Sequence, residues 1–244
     1  MRVTVLGRHG PFPTAGGACS GYLVEAAGIH LLLDCGAGIL GRLASYVTPE
    51  KLTGLMLSHL HSDHISDLFV LRYALEVAHI HDRRHDPLPL WVPPEPKEEF
   101  ERLSYRDVFS IQVPSVGRPI HFGPLTATPF AVQHSIPTFG WRITDGSRTL
   151  VYSADTEYCE DLVSWAHEAD LFLCEATFTQ IRLTQGGRNH LTAEQAGQIA
   201  RAAGVKRLLL THLSPVENIG TVLAEARREF PEAQLAEEEQ TYLL

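Results

Sequence analysis

The sequence predicts an α/β chain of two packed β-sheets with helices on their outer faces. Three observations carry this. Strand-type runs come first and are then mixed with helical runs in both halves, an order that suits two sheets better than one strictly alternating parallel sheet. At 244 residues the chain is long for one ordinary domain and short for two. No repeat, Ser/Gly linker or low-complexity tract offers a place to cut it, so residues 1–244 read as a single domain. Hydrophobic residues make up 44% and charged residues 20%, ordinary globular usage that excludes a disordered chain, a collagen-like fibre or a disulfide scaffold. A chain of this size buries roughly 70% of its unfolded surface, enough for a substantial core.

Taken in order, the first third is strand-rich, with runs at Arg2–Leu6, Gly21–Glu25, His30–Asp34 and Gly54–Ser58. Gly10-Pro11-Phe12-Pro13 and Gly36–Gly38 punctuate them. Leu68, Leu71, Leu75 and Ala78 recur at three- and four-residue steps and predict a helix over Ser66–Ala78. Trp91-Val92 reads as a buried strand, and Pro93 and Pro94 open a polar helix through Arg102. Further strands are expected at Leu125–Val132, Phe139–Ile143, Leu150–Ser153, Leu171–Cys174 and Arg207–Thr211. Helices are expected at Glu160–His167, Thr192–Ala203 and Glu217–Phe230. Thr192 and Gln195 have the form of a capping box at the start of their helix. The acidic run Glu237–Glu239 reads as a solvated turn.

Twenty basic residues against 29 acidic ones leave a net charge of −9, which argues against an extended nucleic-acid surface but not against a local positive site. Cys19, Cys35, Cys159 and Cys174 lie far apart without CxxC spacing and read as reduced thiols of a cytoplasmic protein. No apolar run reaches the ~18 to 20 residues of a membrane span, and the N-terminus lacks the features of a secretory signal. The unusual number is histidine, at thirteen.

The chemistry concentrates in Ser58-His59-Leu60-His61-Ser62-Asp63-His64, which follows an apolar strand. In extended backbone, residues two apart project to the same side, so His59 and His61 can converge on one point. Imidazole is a preferred ligand for zinc and similar metals. One metal cannot easily take all of His59, His61, Asp63 and His64, whereas two metals a few Å apart can. His134, Asp155 and His212 each stand just past the end of a buried strand, where α/β architectures gather functional groups.

This pattern resembles the metallo-β-lactamase fold hydrolases, whose five motifs match in order across nearly the whole chain. The resemblance implies the four-layer αββα sandwich of two mixed sheets and a pair of bound divalent cations. It gives His59, His61 and His134 to one metal and Asp63, His64 and His212 to the other, with Asp155 shared. Class B lactamases carry cysteine where this chain has Asp155, so a bridging-carboxylate branch is the closer match. Cys174-Glu175-Ala176-Thr177-Phe178 is similar to the HEATF segment of ribonuclease Z, and His190-Leu191-Thr192-Ala193-Glu194-Gln195-Ala196 to its HSTAEQA segment. By this likeness Asp63, His190 and Glu175 form the catalytic set, with His190 donating a proton to the leaving oxygen and Glu175 orienting it.

The residue chemistry agrees with a phosphodiesterase. Such a reaction needs a nucleophile, charge neutralisation and a proton for the departing alkoxide; two metals supply the first two and a non-ligating histidine the third. The metals are expected to be Zn²⁺, with Mn²⁺ or iron compatible with a site holding two carboxylates. Ribonuclease Z enzymes that grip tRNA carry an arm between the motif-three histidine and the bridging aspartate; His134 to Asp155 leaves no room for it. The expected substrate is therefore a small phosphodiester or a short nucleic acid. The alternatives are a ribonuclease Z-type tRNA 3′ endoribonuclease, a glyoxalase II- or lactonase-like thioester or lactone hydrolase, and a non-enzymatic metal-binding protein. Enzymes of this kind often dimerise, which makes a homodimer the partner implied. His79, His81 and His85 read as a solvated loop, with Arg83 and Arg84 as candidates for a phosphate at the rim. His9, His30, His121 and His167 lack ligand-type neighbours. Trp91, Trp141 and Trp165 read as packing residues.

Overall fold

A computed structural model describes residues 1–244. The chain opens with β1 (Arg2–Gly7), β2 (Gly21–Ala26) and β3 (Ile29–Leu33), then α1 (Ile39–Leu43) and a 3-10 turn at Pro49–Lys51. Next come β4 (Gly54–Met56), α2 (Ser62–Ile65), α3 (Leu68–Ile80), β5 (Leu88–Trp91), α4 (Lys97–Arg102) and β6 (Phe109–Gln112). The second half runs β7 (Ile120–Phe122), β8 (Leu125–Ala131), β9 (Phe139–Thr144), β10 (Thr149–Tyr152), α5 (Glu160–Ala166), β11 (Leu171–Glu175) and α6 (Gln180–Thr184). It closes with α7 (Ala193–Ala203), β12 (Leu208–Thr211), α8 (Ile219–Glu229), β13 (Gln234–Leu235) and β14 (Thr241–Leu243).

Two seven-stranded sheets result, ordered β14-β1-β2-β3-β4-β5-β6 and β13-β12-β11-β10-β9-β8-β7. Both are mixed: β14 to β3 pair antiparallel and β3 to β6 parallel, while β7 to β10 pair antiparallel and β10 to β13 parallel. The two-residue period of a strand sorts side chains between separate cores. Tyr22, Val24, Leu31, Leu33, Leu171, Leu173 and Leu209 meet between the sheets. Leu23 and Leu32 pack outward under α1 and α3 with Ile39, Leu43, Leu71 and Leu75. Phe172, Leu208 and Leu210 pack outward under α5, α7 and α8 with Leu162, Ile199 and Ala226. Strands buried on both faces read as continuous apolar runs, as Leu208-Leu209-Leu210 does. The architecture is the expected sandwich of two mixed sheets with helices outside.

Several elements differ from the sequence expectation. The helix expected from Pro93 spans only Lys97–Arg102, because Pro96 takes the extended backbone of an N-cap and the chain before it cannot be helical. The helix after His64 runs to Ile80, so His79 is helical rather than in a loop; its Nδ1 reaches the Arg84 carbonyl at 3.1 Å, and it is exposed. The strands β6, β7, β13 and β14 have no counterpart in the sequence expectation, because runs of two to four residues show little periodicity. Glu238 is not a solvated turn residue: it pairs with Arg42 at 3.0 Å and accepts the Ala18 N–H at 2.9 Å. Thr192 and Gln195 do form the reciprocal capping box, which starts α7. All four cysteines are free.

Candidate metal centre

Strands from both sheets deliver the polar residues to one place. β3 and β4 run parallel, so Asp34 at the end of one lies beside the Ser58–His59 segment that continues the other. β8 and β10 are both antiparallel to β9, so Gln133-His134 and Ala154-Asp155 leave the second sheet at the same end. β11 and β12 run parallel to β10 and add Glu175 and His212 there. After β4 the chain bends at Ser58 and reaches His61, which has extended backbone at the N-cap position of α2, while Leu57 and Leu60 anchor that stretch in the core under α3. His59 is thereby buried and His61 half-buried at the rim, and the turn of α2 brings Asp63 and His64 back to the same centre.

Two clusters form. His59, His61 and His134 converge, with His61 Nδ1 lying 3.0 Å from His59 Nε2 and 3.1 Å from His134 Nε2. Asp63, His64 and His212 converge, with Asp63 Oδ2 at 3.2 Å from His212 Nε2 and 3.6 Å from His64 Nε2. Asp155 Oδ2 stands between them, 3.7 Å from His59 Nε2, 3.4 Å from His64 Nε2 and 3.2 Å from His212 Nε2. All seven expected residues are brought together.

The surroundings of four of these imidazoles fix which nitrogen bonds outward, away from the centre. His64 Nδ1–H donates to Asp34 Oδ2 at 2.8 Å, and His134 Nδ1–H to the Asn189 carbonyl at 2.8 Å. Ser58 Oγ gives its single proton to Asp34, so it accepts from His59 Nδ1–H at 3.0 Å. Thr177 Oγ1 gives its proton to Glu175 at 2.7 Å and accepts from His212 Nδ1–H at 2.8 Å. Four Nε2 atoms therefore point inward, at one another and at two carboxylates; burial disfavours charge on His64, but Asp155, Asp63 and Asp34 outweigh it and raise its pKa. His64 Nε2 and Asp155 Oδ1 are buried without a partner. A donor set this rich in nitrogen and carboxylate is satisfied by cations, so the residues fit a divalent metal pair. Burial, reinforced by neighbouring histidines, lowers the pKa of His59, His61 and His134, leaving them as free bases suited to ligation.

Asp34, Ser58 and Thr177, which hold the outer nitrogens of these imidazoles, are not among the residues the sequence singles out. Asp34 is fully buried and accepts from Ser58 N, Ser58 Oγ, His64 Nδ1 and the Tyr152 hydroxyl, all within 2.8 Å. The available signal was its position: an aspartate closing a strand of leucines. Asp34, Ala154 and His212 have left-handed backbone, with φ of 56°, 55° and 50°. Such conformations cost roughly 1–2 kcal/mol each for non-glycine residues, and here they occur at or beside the centre. Two glycines let main chain close on it. A Cβ on Gly10 would stand 1.9 Å from His212 Nε2, and one on Gly36 would stand 2.0 Å from the Asp63 carbonyl oxygen.

His190 belongs to neither cluster's coordinating triad. Its Nδ1 lies 3.0 Å from Glu175 Oε1 and 3.9 Å from Asp155 Oδ2, and Phe178 meets its ring edge-on. Burial disfavours its charge, but the Glu175 carboxylate outweighs burial and pushes its pKa up to about 9. Glu175 is itself fully buried and also accepts from Thr156 N and from Thr177 N and Oγ1. The Arg83–Arg84 segment does not reach this site as expected. Arg84 Nη1 donates to the Glu50 and Leu52 carbonyls, and the segment borders a hollow beside the C-terminal end of α3.

Residues 30–213 match the family model described as the β-lactamase superfamily domain, and that span contains every residue of both clusters. The chain belongs to the β-lactamase superfamily. Among its superfamily relatives is the probable metallo-hydrolase YhfI of Bacillus subtilis, 38% identical over 215 residues that cover 87% of each chain. The crystal structure of YhfI superposes with a TM-score of 0.94 at 34% identity, over 99% of this chain and 98% of that one. A ribonuclease Z of Ignicoccus hospitalis is 30% identical over 97% of this chain and 96% of its own. The short form of human tRNase Z shares the superfamily fold, with a TM-score of 0.78 at 22% identity, over 100% of this chain and 99% of that one. This superfamily member is a metal-dependent hydrolase with ribonuclease Z-like relatives.

Proposed function

We propose that this hydrolase is a dinuclear phosphodiesterase acting on a small phosphodiester or a short nucleic acid. His59, His61 and His134 would hold one cation and Asp63, His64 and His212 the other, with Asp155 between them. The imidazole-rich set favours Zn²⁺. Bound there, the two cations supply a water of lowered pKa and neutralise charge on the phosphoryl oxygens. The chain's own contribution is the proton. Glu175 holds His190 through Nδ1 and keeps it protonated, leaving Nε2 to donate to the departing oxygen. The observation that carries this reading is a sixth histidine, His190, held on the buried Glu175 carboxylate beside a cage of five others. A thioester hydrolase site has less need of that residue, because a thiolate departs without being protonated, unlike an alkoxide.

The segment from His134 to Asp155 supports a small substrate over tRNA. It consists of one hairpin, β9 and β10 joined by the turn Asp145–Arg148, and holds no arm that could grip a folded RNA. Reduced cysteines accord with a cytoplasmic setting, and no helix is long and apolar enough to cross a membrane. The test is a panel of bis-p-nitrophenyl phosphate, cyclic nucleotides, dinucleotides, precursor tRNA, thioesters and lactones, assayed with metal-loaded and chelated protein. Chelation-sensitive turnover of small diesters is the expected result. Faster cleavage of precursor tRNA, thioesters or lactones would overturn the proposal.

A further inference from the structure

His190 borders a pocket that none of the seven cluster residues lines. Its volume is about 320 Å³, at the lower end of the range of about 300–1,000 Å³ typical of small-ligand sites. Glu157, Tyr158, Leu183, Arg188 and Gln195 complete the lining with the turn at Gly186-Gly187. That turn is firmly held. The Asn189 N–H donates to Glu157 Oε1 at 2.7 Å, and its carbonyl accepts from His134 Nδ1 at 2.8 Å. A Cβ on Gly187 would stand 2.9 Å from the Phe178 ring and 3.0 Å from the Arg182 carbonyl oxygen, so main chain packs closely there. The pocket is built into the fold and tied through His134 to the first cluster.

Its polar groups divide into those already bonded and those left over. Glu157 Oε1 takes the Asn189 N–H, and Oε2 faces Gln133 Nε2 at 3.4 Å. Gln195 uses Oε1 in the capping box, accepting from Thr192 N at 2.9 Å, which leaves the two protons of its amide nitrogen. Arg188 is exposed and forms no ion pair. Tyr158 is 43% exposed, and its hydroxyl bonds to nothing in the chain. The pocket therefore offers an aromatic face and several donors, with Leu183 as an apolar wall. The Glu157 carboxylate disfavours an anion there; a neutral flat ring carrying acceptors fits this set.

We infer that the pocket holds the nucleoside attached to the departing oxygen, with its base stacked on Tyr158 and hydrogen-bonded by Gln195 Nε2 and Arg188. This rests on the phosphodiesterase reading, because it takes His190 as the acid. In that reaction the oxygen of water bonds to phosphorus and the bond from phosphorus to the nucleoside oxygen breaks. The His190 Nε2 proton ends on that oxygen, so whatever the oxygen carries must lie against His190. Linear dinucleotides and cyclic nucleotides both put a nucleoside there.

Two measurements on the zinc-loaded full chain test the inference separately from the reading beneath it. Titration calorimetry with adenosine, guanosine, cytidine and uridine probes the pocket without turnover. At least one should bind saturably, with a Kd of about 1 mM or tighter. Q195E keeps the capping box, in which glutamate serves as well as glutamine, but replaces the donor with an acceptor. Q195E and Y158A should each weaken nucleoside binding about tenfold, with circular dichroism as the check on folding. In both variants kcat/KM on a dinucleotide should also fall about tenfold relative to an analogue whose leaving nucleoside is replaced by methoxide. Cyclic and linear diesters assayed side by side show which of them the pocket serves. No nucleoside binding at about 10 mM would overturn the inference, as would variants that bind nucleoside like the wild type. So would cleavage of diesters with an unchanged ratio. Nucleoside binding without cleavage of any diester would support the pocket and overturn the phosphodiesterase reading instead.

Discussion

Asp34 Oδ2 lies 2.8 Å from His64 Nδ1, at the back of the imidazole whose Nε2 faces Asp63 and Asp155. One fully buried carboxylate thereby fixes the tautomer and ring angle of a residue in the second cluster. Through Ser58 it does the same for His59 in the first. Outer-shell partners of this kind typically account for 10- to 100-fold of metal affinity. D34N, which keeps the shape but loses the charge, is expected to weaken binding of both cations within that range. Competition with a chromophoric chelator reads it directly.

His190 is expected to matter in proportion to how badly the leaving group needs a proton. H190A should retain both metals and lose about 10²- to 10⁴-fold in kcat on an alkyl leaving group. On p-nitrophenolate, a stable anion, the loss should be far smaller. Equal losses on the two substrates would mean that His190 does not act as the acid. T177V should reproduce part of the effect, because Thr177 ties Glu175 to His212; T177S, which restores the hydroxyl, should recover it.

Much of this was legible in the sequence because the chemistry depends on residue types at fixed spacing. The seven clustered residues sit in motifs at strand ends, and strands buried on both faces declare themselves as apolar runs. Asp34, Ser58 and Thr177 were not legible in the same way. A lone aspartate after three leucines, or a threonine after a strand, acquires meaning only when a distant segment brings an imidazole to it: His64 lies thirty residues from Asp34, and His212 thirty-five from Thr177. The strand β14 was hidden for a related reason. Its pairing with β1 joins the two ends of the chain, and nothing local in Thr241–Leu243 announces it.

Gly10 tests how closely main chain approaches His212. A Cβ there would overlap the imidazole, and the Gly10 N–H is held by the Leu213 carbonyl at 3.3 Å, so the loop cannot simply move away. G10A is expected to displace His212 and lower the metal content from two per chain toward one, measurable by elemental analysis of the purified variant.

A prediction about pH concerns Asp170, well away from the centre. Burial opposes its ionisation, but Lys206, the Thr149 N–H and Arg148 together outweigh burial and hold its carboxyl below the usual range. A carboxyl depressed in the folded state stabilises the fold above its unfolded pKa of about 4, and that stability fades as pH falls through the lower folded value. D170N should therefore cost about 1 kcal/mol near neutral pH, discounted for solvent screening, or a Tm lower by about 2–4 °C. The gap should narrow below pH 4.

The most direct test of the account is anomalous X-ray diffraction from crystals of the zinc-loaded protein, recorded on both sides of the zinc edge. Two peaks are expected, one within coordinating distance of His59, His61 and His134 and the other of Asp63, His64 and His212, with Asp155 reaching both. One peak only, or zinc bound away from these side chains at full loading, would contradict a dinuclear centre and with it the proposed chemistry.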